Sequence, residues 1–263
     1  MIKAKSSERD AILEYLLPNV EKCLYLYLDI FQYGIGDTQD TVDVWYEMQE
    51  DEYSVIIMKY YNSLQMYSVS NNFSVSDLRE LADNYGIERI FSEKTTIDYI
   101  SDMFPDYLAQ YGKVSELKKH RDFSKYYHRI EKASVDDISE LVALLLMDEE
   151  NARSYNSNKE LEAMLKHLFE TDLGESYILR EDGKIVATGT ILAKSDVFLI
   201  AAYSMVHPDY HHTLYGSIVD SYLTNVVKKE RRLFGFMMDP RRIRALELTG
   251  NPVVSEYGKL IKK

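Results

Sequence analysis

The segment from Phe198 to Val227, FLIAAYSMVHPDYHHTLYGSIVDSYLTNVV, constrains the fold more than any other part of the chain. Phe198, Leu199, Ile200, Ala201 and Ala202 make a nearly unbroken apolar run, which predicts a strand covered on both faces and therefore central in its sheet. Pro208 ends it, because proline has no N–H for a ladder and drives His207 toward extended geometry. Beyond the turn, Leu214, Tyr215, Ile218, Val219, Tyr222, Leu223 and Val226 recur at three- and four-residue spacing, the apolar stripe of a helix. The start of that helix faces the end of the strand. Its unpaired N–H groups and partial positive charge make His211 to Ser217 a candidate phosphate cradle, and Gly216, without a Cβ, lets a ligand or a strand come close.

The remainder orders itself around this unit. Ser6 or Ser7 caps a first helix, Pro18 interrupts, and a second helix is expected from about Val20 to Tyr33. Three β-branched and aromatic runs, Val42 to Met48, Tyr53 to Tyr61 and Leu64 to Val69, read as an antiparallel meander. A helix from Ser74 or Ser76 to Tyr85 stops at Gly86, a short strand covers Ile87 to Phe91, and a further helix runs from Thr95 or Thr96 to about Tyr107. Tyr111 to Lys125 is polar and weakly patterned, which places a domain boundary near Asp122. The predicted domains are 1–122 and 123–263. In the second, Tyr127 to Ile130 opens a strand, Ser134 caps a helix through Leu145, and another helix carries Leu161, Met164, Leu165, Leu168 and Phe169. Ser176 to Arg180 and Ile185 to Leu192 form a hairpin about Asp182-Gly183. After the central strand and helix come a strand from Leu233 to Met238, a helix from Arg241 to Leu248 and a last strand from Val253 to Ile261.

With 263 residues, 46% of them hydrophobic, the chain can bury a sizeable core in two modest domains. A net charge of −12 argues against a general nucleic-acid or anionic-membrane partner. The excess is uneven, since His211 to the end holds ten Lys and Arg against five Asp and Glu, a local balance suited to a small phosphorylated ligand. Cys23 is the single cysteine, so no intramolecular disulfide forms and a cytoplasmic location is the default. Its apolar neighbours mark a buried, inert thiol. The N-terminus lacks a signal-peptide core, and no apolar run reaches the ~18 to 20 residues that span a bilayer.

Val206-His207-Pro208-Asp209-Tyr210 followed by His211-x-x-Leu214-x-Gly216 resembles the acetyl-CoA-binding motif of the GNAT N-acetyltransferases. His211 stands where that family has Arg or Gln, Leu214 stands where it has its first glycine, and Gly216 matches. The order strand, two helices, three strands, helix, strand, helix, strand in the second half is also that of the family. The resemblance implies an α+β protein: a C-terminal GNAT fold with a mixed, mostly antiparallel twisted sheet flanked by helices, and an N-terminal α/β domain that resembles a worn copy of it. No repeat is visible at the residue level. It further implies acetyl-CoA as acyl donor, with Met205 and Val206 meeting the pantetheine. The amides of His211, His212, Thr213, Leu214, Tyr215, Gly216 and Ser217 then meet the phosphates. The strand after the cofactor helix is expected to splay from its neighbour and leave a V-shaped gap for the thioester.

Direct transfer to an amine needs a neutral nucleophile, a donor for the developing oxyanion and an acid for the leaving thiolate. Between Val197 and Val206 there is no carboxylate, and Leu246 occupies the position where the family often has a tyrosine, so no catalytic residue is assigned. Tyr203 and Tyr215 are nearby phenols, and Asp239 is a weak candidate for orienting an amine. His207, His211 and His212 lack the further ligands that zinc requires, and no metal site is expected. His211 can instead take the place of the missing arginine on a phosphate, and Arg241, Arg242 and Arg244 can reach phosphates or form a solvated helix face. Three functions follow: an acyl-CoA-dependent N-acyltransferase moving an acetyl group to a small amine or amino-acid-like acceptor, a non-catalytic GNAT-like module that binds CoA, another ligand or a protein, or transfer of a longer acyl group, which needs a wider apolar cleft.

Overall fold

The computed structural model describes residues 1–36, 41–148, 152 and 157–263. Its contacts divide the chain into two compact units, one of residues 1–114, 237–239 and 253–263, the other of residues 115–236 and 240–252.

The first unit begins with β1 (Ile2–Lys3), α1 (Arg9–Leu16) and α2 (Leu24–Tyr33), followed by β2 (Asp43–Gln49), β3 (Glu52–Tyr60) and β4 (Ser63–Tyr67). It continues with α3 (Val75–Asn84), β5 (Arg89–Glu93), α4 (Lys94–Ile100) and β6 (Tyr107–Glu116), whose last two residues belong to the second unit. Strands β2, β3 and β4 are the expected antiparallel meander. Strand β5 pairs parallel to β4, but only over Ser63–Gln65 against Arg89–Phe91. The Ser74 side chain accepts from the Asp77 amide and caps α3. The second helix starts at Leu24 rather than Val20, because Pro18 holds Leu17–Lys22 in a tighter, kinked turn. Cys23 is buried beneath that turn, and burial pushes its thiol pKa up.

The second unit holds β7 (Ile130–Lys132), α5 (Ile138–Leu145), α6 (Asn158–Glu170), β8 (Glu175–Glu181), β9 (Lys184–Lys194) and β10 (Phe198–Val206). It then adds α7 (Tyr215–Tyr222), β11 (Arg232–Met237) and α8 (Pro240–Leu248). Strand β10 runs antiparallel to β9 and parallel to β11, with Phe198, Leu199 and Ile200 fully buried, as the apolar run predicts. Helices α5 and α6 pack on one face through Leu141, Leu145, Leu161 and Leu165, against Ile178 and Ile185. Helix α7 covers the other with Ile218 and Val219 on Leu179, Val186 and Ala187. The end of α7 passes into a π-turn at Leu223–Val227, where the Lys228 amide bonds Leu223 O. The wider turn rotates the stripe by one residue, so Val227 is buried and Val226, expected inside, is 38% exposed.

The last strand, β12 (Val253–Lys262), corrects the expected domain boundary. Tyr257–Ile261 pairs antiparallel with Glu93–Arg89 of β5, and Leu260 is buried with Leu64, Ile90 and Ile97 in the first unit. In the order of that sheet β12 lies between β5 and β6. The first unit proper ends at Val114 rather than at residue 122, and the segment from 115 onward works for the second: the Leu117 amide donates to Leu233 O at 2.7 Å.

Each half therefore presents the same order of described elements: strand, two helices, three strands, helix, strand, helix, strand. A residue-level trace of the repeat is present after all. Tyr111-Gly112-Lys113 in β6 returns as Tyr257-Gly258-Lys259 in β12. Each glycine makes room for the other's tyrosine, since a Cβ on Gly112 would lie 2.5 Å from the Tyr257 ring and one on Gly258 would lie 3.1 Å from that of Tyr111.

Candidate functional site

The parallel pairing of β10 with β11 covers Phe198–Ala201 against Arg232–Gly235 and stops there. Strand β10 goes on to Val206 with β9 alone as its ladder partner among the described residues. The register with β9 shifts between Ala202 and Met205, and Tyr203 within this bulge has φ +50°. Such a value in a bulky non-glycine residue costs on the order of 1 to 3 kcal/mol and collects at functional positions. The bulge leans Tyr203 and Met205 on the α5 and α6 core, so the phenol of Tyr203 faces away from α7. Ser204 faces α7, where its hydroxyl donates to Asp220 Oδ1 at 3.0 Å.

His207 to Thr213 close the strand in short turns. The His207 ring accepts from the Asp209 amide through Nδ1 at 3.3 Å. His211 Nε2 lies 2.9 Å from Val206 O, and since a carbonyl only accepts, Nε2 carries the proton. His212 is exposed, and Leu214, expected on the buried stripe, is the N-cap residue of α7 and 53% exposed. Thr213 Oγ1 donates to Tyr210 O and accepts from the Tyr215 amide. The amides of Leu214, Gly216 and Ser217 have no acceptor among the described residues. A Cβ on Gly216 would stand 2.9 Å from Val206 Cγ2. The close approach that glycine permits is thus used by the strand.

Two groups that sequence reasoning missed sit at this helix start. Glu181 Oε2, at the end of β8, accepts from the Tyr215 hydroxyl at 2.6 Å and from Arg129 at 2.6 Å, and the Arg129 guanidinium lies 5.1 Å from the Tyr215 ring centre. The Tyr215 hydrogen bond and then Arg129 hold the Glu181 carboxyl below the usual carboxylate range. Tyr215 therefore anchors α7 to β8 rather than standing as a spare phenol, and it brings a cation beside the open amides. No local spacing links Arg129, Glu181 and Tyr215, and only the fold brings them together. On α8, Arg242 pairs with Asp220 at 3.8 Å and Arg244 with Glu247 at 3.9 Å. Among the described residues, no group of three or more His, Cys, Asp or Glu is placed to hold a metal ion, and no helix is long and apolar enough to cross a membrane.

The first unit has the corresponding gap, but it is closed from within. One residue beyond the β4–β5 pairing, the Ser92 hydroxyl donates to Met66 O at 2.9 Å. Thr96 Oγ1, fully buried on α4, donates to Asn71 Oδ1 at 2.8 Å. The position in β11 that corresponds to Ser92 is Phe236, whose side chain has no donor.

No known family profile and no curated protein matches the sequence. Solved structures match its fold over nearly the whole length. A Drosophila protein is 10% identical over 99% of this chain and 97% of its own, with a TM-score of 0.66. A tandem GNAT protein from the clavulanic acid biosynthesis pathway is 8% identical over 98% and 96%, with a TM-score of 0.58. A GCN5-related N-acetyltransferase-like protein from Streptococcus suis is 11% identical over 98% and 100%, with a TM-score of 0.56. The fold is the α+β GNAT fold, present twice in one chain.

Proposed function

We propose that the chain is an acyl-CoA-dependent N-acyltransferase that moves an acetyl group to a small amine or amino-acid-like acceptor, with the ligand held in the second unit. The observation that carries this reading is the contrast between the two gaps: side-chain hydroxyls bridge the first, whereas in the second β10 runs on from Ala202 with no ladder partner on its β11 side among the described residues and leads to open amides. The edge of β10 from Ala202 to Met205 suits the amide-bearing arm of acetyl-CoA, with the next carbonyl, that of Val206, taken by His211. The Leu214, Gly216 and Ser217 amides, with Arg129 alongside, suit its phosphates. Bound there, acetyl-CoA supplies an activated thioester carbonyl. The chain's part is to orient that carbonyl against backbone N–H groups of the β10 edge and to keep water from it.

The second reading, a binding module without chemistry, is favoured by His211. With Nε2 committed to Val206 O, its Nδ1 can donate to a phosphate only when the imidazole is doubly protonated, so it replaces the expected arginine poorly.

Calorimetric titration with acetyl-CoA, paired with hydrogen-exchange mass spectrometry, tests both. Saturable binding that protects peptides from 202–217, together with acetyl transfer to a member of an amine panel, supports the enzyme. Protection without transfer supports the module. No binding at millimolar acetyl-CoA overturns both as readings of this gap.

A further inference from the structure

The two gaps also differ in how they are bridged, and the difference deepens the acyl-carrier reading on which it rests. In each unit the helix after the parallel strand sends its third residue across to the chain that follows the neighbouring strand: Thr96 of α4 and Arg242 of α8. Thr96, itself fully buried, donates to the partly exposed Asn71 at 2.8 Å, and beside it Ser92 takes up the Met66 carbonyl in a buried hydrogen bond. Arg242 makes a different kind of bridge. Its guanidinium lies 3.8 Å from Asp220 Oδ2, the two side chains are 48% and 35% exposed, and Asp220 Oδ1 accepts from Ser204. Ser204 belongs to the part of β10 that has already left β11. Arg242, Asp220 and Ser204 thus run in series from α8 to the stretch of β10 that lies beyond its pairing with β11.

An exposed ion pair at this separation is weak and exchanges readily with solvent or another anion. A ligand's arm that enters this gap has to part the two side chains, which an exposed pair resists only weakly. We propose that the Arg242–Asp220 pair is an openable gate on the second gap, at the position where Thr96 and Asn71, with the buried Ser92–Met66 bond beside them, close the first.

The test is stopped-flow association of coenzyme A with the wild-type protein, Arg242→Ala, Asp220→Asn and the double variant. Asp220→Asn keeps an acceptor for Ser204, and both positions are solvent-accessible enough for the variants to fold. Either single change is expected to speed association about two- to five-fold, the range open to an exposed pair. The double variant should be no faster than the singles, since both remove one interaction. Rates equal to wild type in both singles overturn the gate while leaving the ligand reading intact. Loss of binding in Arg242→Ala overturns it as well, because the arginine would then be a direct phosphate contact. No binding in any of the four proteins overturns the acyl-carrier reading and the gate with it.

Discussion

Asp29, on α2, is half-buried as a residue, yet its carboxyl is almost wholly withdrawn from water, and this desolvation pushes its pKa up to about 7. An unfolded aspartate titrates near ~3.9. Between those values the folded state binds a proton that the unfolded state does not, so stability falls as pH rises from about 4 to 7. The cost above pH 7 is at most on the order of 4 kcal/mol. Asp29→Asn should therefore raise the melting temperature clearly at pH 8 and much less at pH 5. Thermal melts at the two values check it, and an effect independent of pH would count against the burial account. Other residues were legible only in kind. The sequence marks Gly216 as a place of close approach, but the same absence of a Cβ serves a ligand or a strand, and Val206 fills it here. Arg129 and Glu181 could not be read at all, being 52 residues apart with nothing local to couple them.

The elements were easier to read, because period and punctuation are local. The β2–β4 meander, the β8–β9 hairpin about Asp182-Gly183 and the strand, turn and helix from Phe198 follow the pattern of their residues. Strand β6 does not: Gln110, Lys113, Ser115 and Glu116 interrupt its apolar positions, so it passes for a linker. The π-turn after α7 is equally silent in sequence, since a stripe counted at 3.6 residues per turn cannot announce where the count changes. The seal of the first gap is an element-scale device and can be tested as one. Ser92→Ala leaves the buried Met66 carbonyl without that donor at a cost of about 1 to 3 kcal/mol, and Thr96→Val removes the donor from the partly exposed Asn71 at a smaller cost of about 0.5 to 1.5 kcal/mol. Chemical denaturation should show the loss in both variants, and acetyl-CoA titration should show no change in the second gap.

For the molecule as a whole, duplication was visible in element order but the allocation of strands was not. Which edge the final strand joins is decided by long-range pairing, and Val253–Lys262 would suit either half by composition. Because β12 pairs with β5, a chain ending at residue 122 lacks the partner of Arg89–Glu93 and the buried Leu260. It should be expanded or aggregated by size-exclusion chromatography and circular dichroism, because an unpaired β5 edge invites association. A folded, monomeric 1–122 fragment would contradict the pairing. The same feature bears on how the protein is made. Residues 89–93 leave the ribosome well before residues 257–261, so the first sheet waits, incomplete, through synthesis of the entire second unit. Its closing contacts are among the most distant in the chain, and loops of that length close slowly. The first unit is thus begun before the second and finished after it, and it can be completed only once residues 257–261 have left the ribosome's exit tunnel.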